Sequence, residues 1–300
     1  MMWKGYLAVL CSAILYGIEP TVREYALSAG VPVAVSMVAS SLVMVLSFSA
    51  VCAARKWNIR LPLRQIAPLA VLGVLMAMTS TLLGMSYRYI PVGCATVIHF
   101  MYPTLVCLVS AVFFGERLTR ARLTAMVLSI MGLICITGGV HGSAAGVVLA
   151  LCSSLTYVGY ILLLDHAPQQ KELPPEVRML YVSLFCMATS ALLLGGRPSH
   201  GAVNAQTAVS LLVCGLIGAA AIFLFAFGVQ RAGAARASFF SLFEPMTSMV
   251  VSTLVYRYAF TPIMLLGCAL SLGAVLSVSL GAENAARSRG TNLGNDGRDE

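Results

Sequence analysis

Residues 234–256 read A-A-R-A-S-F-F-S-L-F-E-P-M-T-S-M-V-V-S-T-L-V-Y, and the reading of this stretch decides the fold. It is long enough to cross a bilayer, yet Glu244 lies near its middle with Pro245 directly after it. At about 1.5 Å of rise per residue, the carboxylate is roughly 15 Å in from Ala234, deep in a hydrocarbon layer about 30 Å thick. Charge at that depth faces other helices or water, and it marks function by default. Pro245 brings no backbone donor to the carbonyl one turn earlier, so the sequence predicts a kink beside the carboxylate. A second stretch, 92–114, stands 142 residues earlier and carries Pro103 at the matching position, a second predicted kink.

Composition sets the class of molecule around these two stretches. Hydrophobic residues make up 59% of the 300 and charged residues 10%, with a mean hydropathy of +0.89. A soluble domain carries about a quarter charged residues. Long segments without a formal charge recur along the chain, which makes it polytopic and helical rather than singly anchored. The nine cysteines fall in apolar segments with no C-x-x-C pair, so they read as small packing residues; neither a metal site nor a disulfide is expected. The net charge of +8 comes from basic residues scattered between the apolar segments. It is a topology signal, and no nucleic-acid partner is expected.

Ten spans are predicted, at 5–26, 32–54, 66–86, 91–114, 119–139, 143–164, 176–195, 207–228, 234–256 and 261–281. The loops between them are short. Residues 282–300, rich in Gly, Asn, Arg and Asp, read as a disordered cytoplasmic tail. The first span imitates a signal peptide, but Glu19 interrupts its apolar run and more spans follow, so it is read as retained. With a cytoplasmic N-terminus, all of the 19 Lys and Arg residues except Arg23, Arg88, Arg197 and Arg257 fall on the inner side. That bias predicts both termini in the cytoplasm of a cell-membrane protein.

An internal repeat organises the spans. A shift of 142 residues pairs Gly73 with Gly215, Pro103 with Pro245, Thr119 with Thr261, Ser129 with Ser271 and Pro32 with Pro174. A shift of 141 pairs Cys11 with Cys152, Ser12 with Ser153 and Tyr16 with Tyr157. The repeats are 1–140 and 141–281. Each has five spans, an odd number, so the second crosses the membrane upside down relative to the first. The loops agree: Arg55, Lys56, Arg60 and Arg64 share one loop whose counterpart holds Arg197 alone. The fold class is therefore all-α integral membrane, ten transmembrane helices in two inverted-topology five-helix repeats. Such repeats place a substrate site near the midplane between the halves, and rocking them gives alternating access.

With two five-helix halves established, the chain resembles the EamA branch of the drug/metabolite transporter superfamily over residues 1–281. The resemblance is carried by A-T-V-I-H-F-M-Y-P-T-L-V-C-L-V-S-A-V-F-F-G-E-R-L-T at 95–119 and by S-L-F-E-P-M at 241–246. It implies a ten-helix exporter or exchanger of small organic metabolites with a central cavity. The second half departs from the pattern, with Arg257-Tyr258 where the first has Gly115-Glu116. An arginine is common early in the family's second span; here the first half has Ser36 and the second keeps Arg178.

Eight residues are candidates for the substrate or proton pathway. His99 and Tyr102 share one helix face, and the shift of 142 sets them against Ser241 and Glu244. If a two-fold axis holds, the four converge, and His99 with Glu244 make a titratable pair able to exchange a proton in the physiological range. Glu19 stands toward the outer side of the first span, with Tyr160 as its repeat partner and Tyr16 and Tyr157 one turn earlier. It could line the cavity, or pair with Arg23 at i+4. The expected function is secondary transport of small metabolites, amino acids first, because Tyr, Ser, His and carboxylates suit polar zwitterions. Cationic compounds, nucleobases and nucleotide-linked sugars remain as alternatives, and an intramembrane enzyme ranks below them. No G-x-x-x-x-G-K-[ST] phosphate loop occurs. The expected partners are a small-molecule substrate and the lipid bilayer; the chain is read as a monomer without a cofactor.

Overall fold

The computed structural model describes residues 2–90, 92–116, 118–137, 143–166, 173–194, 204–256 and 261–295. Among the topology residues, Arg117, Lys171, Arg197, Arg257 and Arg298 lie outside them. Twelve helices and no strand occur among the described residues: α1 Met2–Ser28, α2 Val33–Ala54, α3 Leu63–Ser86, α4 Val92–His99, α5 Tyr102–Phe114, α6 Arg120–Thr137, α7 Ala144–His166, α8 Pro175–Leu194, α9 Ala205–Ala232, α10 Ala234–Phe240, α11 Phe243–Tyr256 and α12 Pro262–Asn295. In hydrocarbon each backbone polar group has to be satisfied within its own segment, so an apolar chain of this kind becomes helix. Six of the helices, α1, α2, α3, α7, α8 and α9, are long and apolar enough to cross a membrane by length and composition. Leu46, Val112, Phe113, Leu192 and Leu254 are among the large apolar side chains on the outside, as a lipid-facing surface requires.

Two of the predicted spans are broken. The fourth divides into α4 and α5 around Phe100 and Met101, and the ninth divides into α10 and α11 around Ser241 and Leu242. Both breaks fall just ahead of the prolines for which the sequence predicts only a kink. At each, the α-helical ladder tightens into a shorter turn: Met101 N–H donates to Ile98 O at 3.2 Å and Leu242 N–H to Phe239 O at 3.1 Å. Pro103 and Pro245 have no N–H for the carbonyls four residues back, so the ladder cannot continue through them.

The packing follows the repeat. Helix α1 lies against α9 and α11, and α7 lies against α3 and against α4 and α5; α2 meets α8 and α9, α3 meets α8, and α6 meets α12. Small residues set the close approaches. A Cβ on Gly73 would come within 2.7 Å of the Val182 carbonyl, and one on Gly215 within 2.9 Å of the Ser40 carbonyl. Ser40 and Val182, like Gly73 and Gly215, are 142 residues apart. Gly5 meets Arg231 and Ala232 in the same way that Gly146 meets Tyr89 and Ile90, again the same shift.

Helices α1 and α9 run antiparallel and provide a ruler. Ser210 Oγ donates to Val22 O at 2.6 Å, Ser12 Oγ to Ala221 O at 2.8 Å, and Gly5 reaches Arg231 at the far end. The positions of Ser210 and Gln230 on α9 are therefore about 30 Å apart along the bundle. The main apolar core lies between these levels and includes Val9, Leu72, Tyr102, Val106, Tyr157, Ile161, Phe225 and Phe239.

Candidate functional site

The helix breaks deliver polar groups to the middle of the bundle. His99 is the last residue of α4, and its Nδ1 shares a hydrogen bond of 2.8 Å with Ser153 Oγ on α7. Tyr102 opens α5 and is 1% exposed. The Tyr157 ring stands edge-on to it at 4.7 Å, is 5.5 Å from His99, and stacks on Tyr160 at 5.8 Å and on Phe225 at 6.0 Å. Edge and offset geometries of this kind suit aromatic quadrupoles. The result is a box of His99, Phe100, Tyr102, Tyr157, Tyr160 and Phe225, with the Tyr102 and Tyr160 hydroxyls buried and without a hydrogen bond.

Opposite the box, the second break places Glu244 in the first turn of α11. Gly17 of α1 holds the two helices together, because a Cβ there would stand 2.7 Å from the Glu244 carbonyl. Glu244 is half-buried, as are Tyr16 and Glu19, whereas Tyr157 is 8% exposed and Tyr160 not at all. The Glu244 carboxylate is within electrostatic reach of Glu19, Tyr16, Tyr102 and Tyr157. Tyr102, with Ser241 beside its hydroxyl, is thus the member of the first break that faces this charge. His99 does not join Glu244 in a pair; its contacts run to Ser153, Phe100, Tyr102 and Tyr157.

Glu19 makes the i+4 ion pair with Arg23. Arg23 extends further, its Nη1 donating to Ser36 Oγ of α2 at 2.6 Å. Its guanidinium therefore stands at the position where the first half lacks the arginine that the second half has in Arg178. Arg178 is 1% exposed and donates from Nη2 to Gln230 Oε1 at 3.2 Å, close to Tyr160. By the α9 ruler, Arg23 and Arg178 mark opposite ends of the bundle. Sequence reading named both positions as a departure from a pattern but missed Gln230, Ser153 and the reach of Arg23 to Ser36. The shift of 141 that pairs Ser12 with Ser153 was the available signal for Ser153.

A cavity of about 570 Å³ opens at the Arg178 end, lined by residues that include Arg55, Trp57, Glu176 and Phe223. There Arg55 pairs with Glu176 at 3.0 Å, and Tyr181 donates its hydroxyl to Ile59 O at 2.7 Å, tying α8 to the C-terminal side of α2. Among the described residues no group of three or more His, Cys, Asp or Glu is placed to hold a metal ion.

Comparison with known proteins gives the family. The model of the EamA-like transporter family matches residues 3–138 and again 144–280. The uncharacterised inner membrane transporter YicL of Salmonella typhimurium is 26% identical over 301 residues, 95% of this chain and 98% of that protein. The uncharacterised transporter sll1319 of Synechocystis is 23% identical over 204 residues, 66% of this chain and 62% of that protein's length. A solved crystal structure superposes with a TM-score of 0.77 at 20% identity, covering 94% of this chain and 98% of its own; at that identity the likeness is one of fold.

Proposed function

The chain belongs to the EamA-like transporter family, and on that premise we propose that it is a secondary transporter working by alternating access between two inverted five-helix halves. The ten spans of this reading are α1, α2, α3, α4 with α5, and α6 in one half, and α7, α8, α9, α10 with α11, and α12 in the other. What supports it is the exchange symmetry of the packing: each contact between the halves recurs with the halves interchanged, down to Gly73 on Val182 and Gly215 on Ser40. The termini are cytoplasmic, and the membrane is the cell inner membrane, as the name of the Salmonella relative says of that protein.

The observation that carries the mechanism is the unequal exposure of matched positions. Tyr16 and Glu244 are half-buried while Tyr157 and Tyr102, their partners by the shift, are closed in. In this reading the chamber is reached from the Arg23 end and sealed at the Arg178 end, and rocking the halves exchanges the two conditions. Substrates are small organic metabolites, amino acids first, moved outward; the tyrosine hydroxyls, Ser241 and Glu244 are the groups that would orient them. Glu244 is the group that takes up and releases the coupling proton. This is a transporter and not an enzyme: the polar groups line an internal path rather than gather into a nucleophile and base at the membrane surface.

The test is counterflow of an amino acid in proteoliposomes across about pH 5 to 8, the range in which a buried carboxylate can titrate. Glu244→Gln is expected to abolish the pH dependence of the rate. A variant that keeps the wild-type pH profile removes Glu244 from the mechanism.

A further inference from the structure

The sealed end of the chamber carries a cluster of donors in want of an acceptor. Arg178 gives one N–H to Gln230 Oε1 at 3.2 Å. The amide nitrogen of that same Gln230 and the hydroxyl of Tyr160 beside the guanidinium are both buried, and neither makes a hydrogen bond. Guanidinium and amide nitrogens can only donate, and a phenol donates readily. The nearby carboxylate, Glu176, is held by Arg55. Buried donors without an acceptor are costly, and a set of them around a guanidinium is the environment in which a carboxylate binds most strongly.

The other half of the molecule shows what such a cluster holds. The shifts of 142 and 141 place Ser36 and Glu19 at the positions of Arg178 and Tyr160. At that end Arg23 brings its guanidinium to Ser36, and the group it binds is a carboxylate, that of Glu19. The acceptor that the chain supplies for itself at one end is absent at the other, where Tyr160 takes the place of Glu19. Immediately outside lies the cavity lined by Arg55, Trp57, Glu176 and Phe223.

We propose that Arg178, Gln230 and Tyr160 form an anion station that receives the carboxylate of the substrate at the Arg178 mouth, making carboxylate-bearing metabolites the class transported and bare organic cations a class turned back. This rests on the transporter reading, and it assigns that reading a specificity site outside the central carboxylate.

Cys186 is a native reporter: it is half-buried, near Tyr16 and Tyr160, and 3.8 Å from Ser41 Oγ. In a chain with the other cysteines replaced by alanine, two impermeant thiol reagents of one size are applied from the Arg178 side of sealed vesicles. They are the sulfonatoethyl and trimethylammonioethyl methanethiosulfonates. Both wait on the same opening, so the ratio of their rates reads charge preference alone. The anionic reagent is expected to be faster by about tenfold or more, the scale on which a charged cleft concentrates counter-ions. Arg178→Gln is expected to bring the ratio close to one, and Arg178→Lys to keep part of it. A wild-type ratio at or below one, or a ratio unchanged in Arg178→Gln, overturns the station. Should Arg178→Gln fail to fold, Tyr160→Phe removes only a hydroxyl: the ratio falls at least about twofold if the phenol belongs to the station, and an unchanged ratio overturns it. If neither reagent reaches Cys186 from this side while both reach it from the other, alternation itself fails and the station falls with it. The two failures are thereby distinct.

Discussion

The unit of α4 and α5 with α7 and the unit of α10 and α11 with α1 occupy matching places in the two halves, and they are filled with opposite chemistry. In the first, His99 is bonded to Ser153, Tyr102 and Tyr157 stand edge to face, and the box is closed. In the second, Ser241 replaces His99, Glu244 replaces Tyr102, Glu19 replaces Tyr160, and the side chains are half-exposed. The backbone kept the symmetry of the breaks while the side chains gave it up. That division has a physical logic. A rocking mechanism needs two equivalent hinges, whereas a buried carboxylate is so expensive in hydrocarbon that a single central one, set against neutral phenols, serves better than two.

The contrast can be broken by truncation. Tyr157→Ala removes a large buried ring that touches His99, Tyr102, Tyr160 and Phe225, and it should lower the unfolding free energy by about 3–5 kcal/mol in detergent, the range for a large aromatic in a packed core. Tyr16→Ala, at the half-exposed matching position, should lose less than about half of that. Equal losses would mean that the two units are packed alike. A smaller effect is expected from Ser153→Ala, which leaves His99 Nδ1 buried without its partner and should cost about 1–3 kcal/mol. Ser12→Ala, which touches only a backbone carbonyl, should cost nearer the low end, and denaturant titration of the pair checks the order. The smallest effect belongs to Tyr102→Phe. Its hydroxyl makes no hydrogen bond, so stability should change by less than about 0.5 kcal/mol while amino acid counterflow slows. A large loss of stability on that change would show the hydroxyl to be structural.

Much of this was legible in the residues. The helix breaks were marked by Pro103 and Pro245, because proline removes a donor wherever it stands, and the closest helix contacts were marked by Gly73 and Gly215, which the repeat shift pairs. The Glu19 partner could be read because i+4 spacing on a helix fixes proximity by itself. The proposed pairing of His99 with Glu244 could not be read in this way. A repeat shift gives equivalence, and equivalent residues meet only if they lie on the axis that relates the halves. His99 instead found Ser153, 54 residues away on α7, and Arg178 found Gln230, 52 residues away on α9. Such partners depend on how helices are rotated about their own axes, which the weak periodicity of uniformly apolar spans leaves unspecified.

The central claim is that matched positions in the two units look toward opposite sides of the membrane in turn. Single cysteines at Tyr16 and Tyr157, labelled by an impermeant thiol reagent applied from each side of sealed vesicles, test it directly. The account predicts that Tyr16→Cys reacts from the Arg23 side and Tyr157→Cys from the Arg178 side, the second reaction being the slower. Labelling of both positions from one and the same side would contradict it.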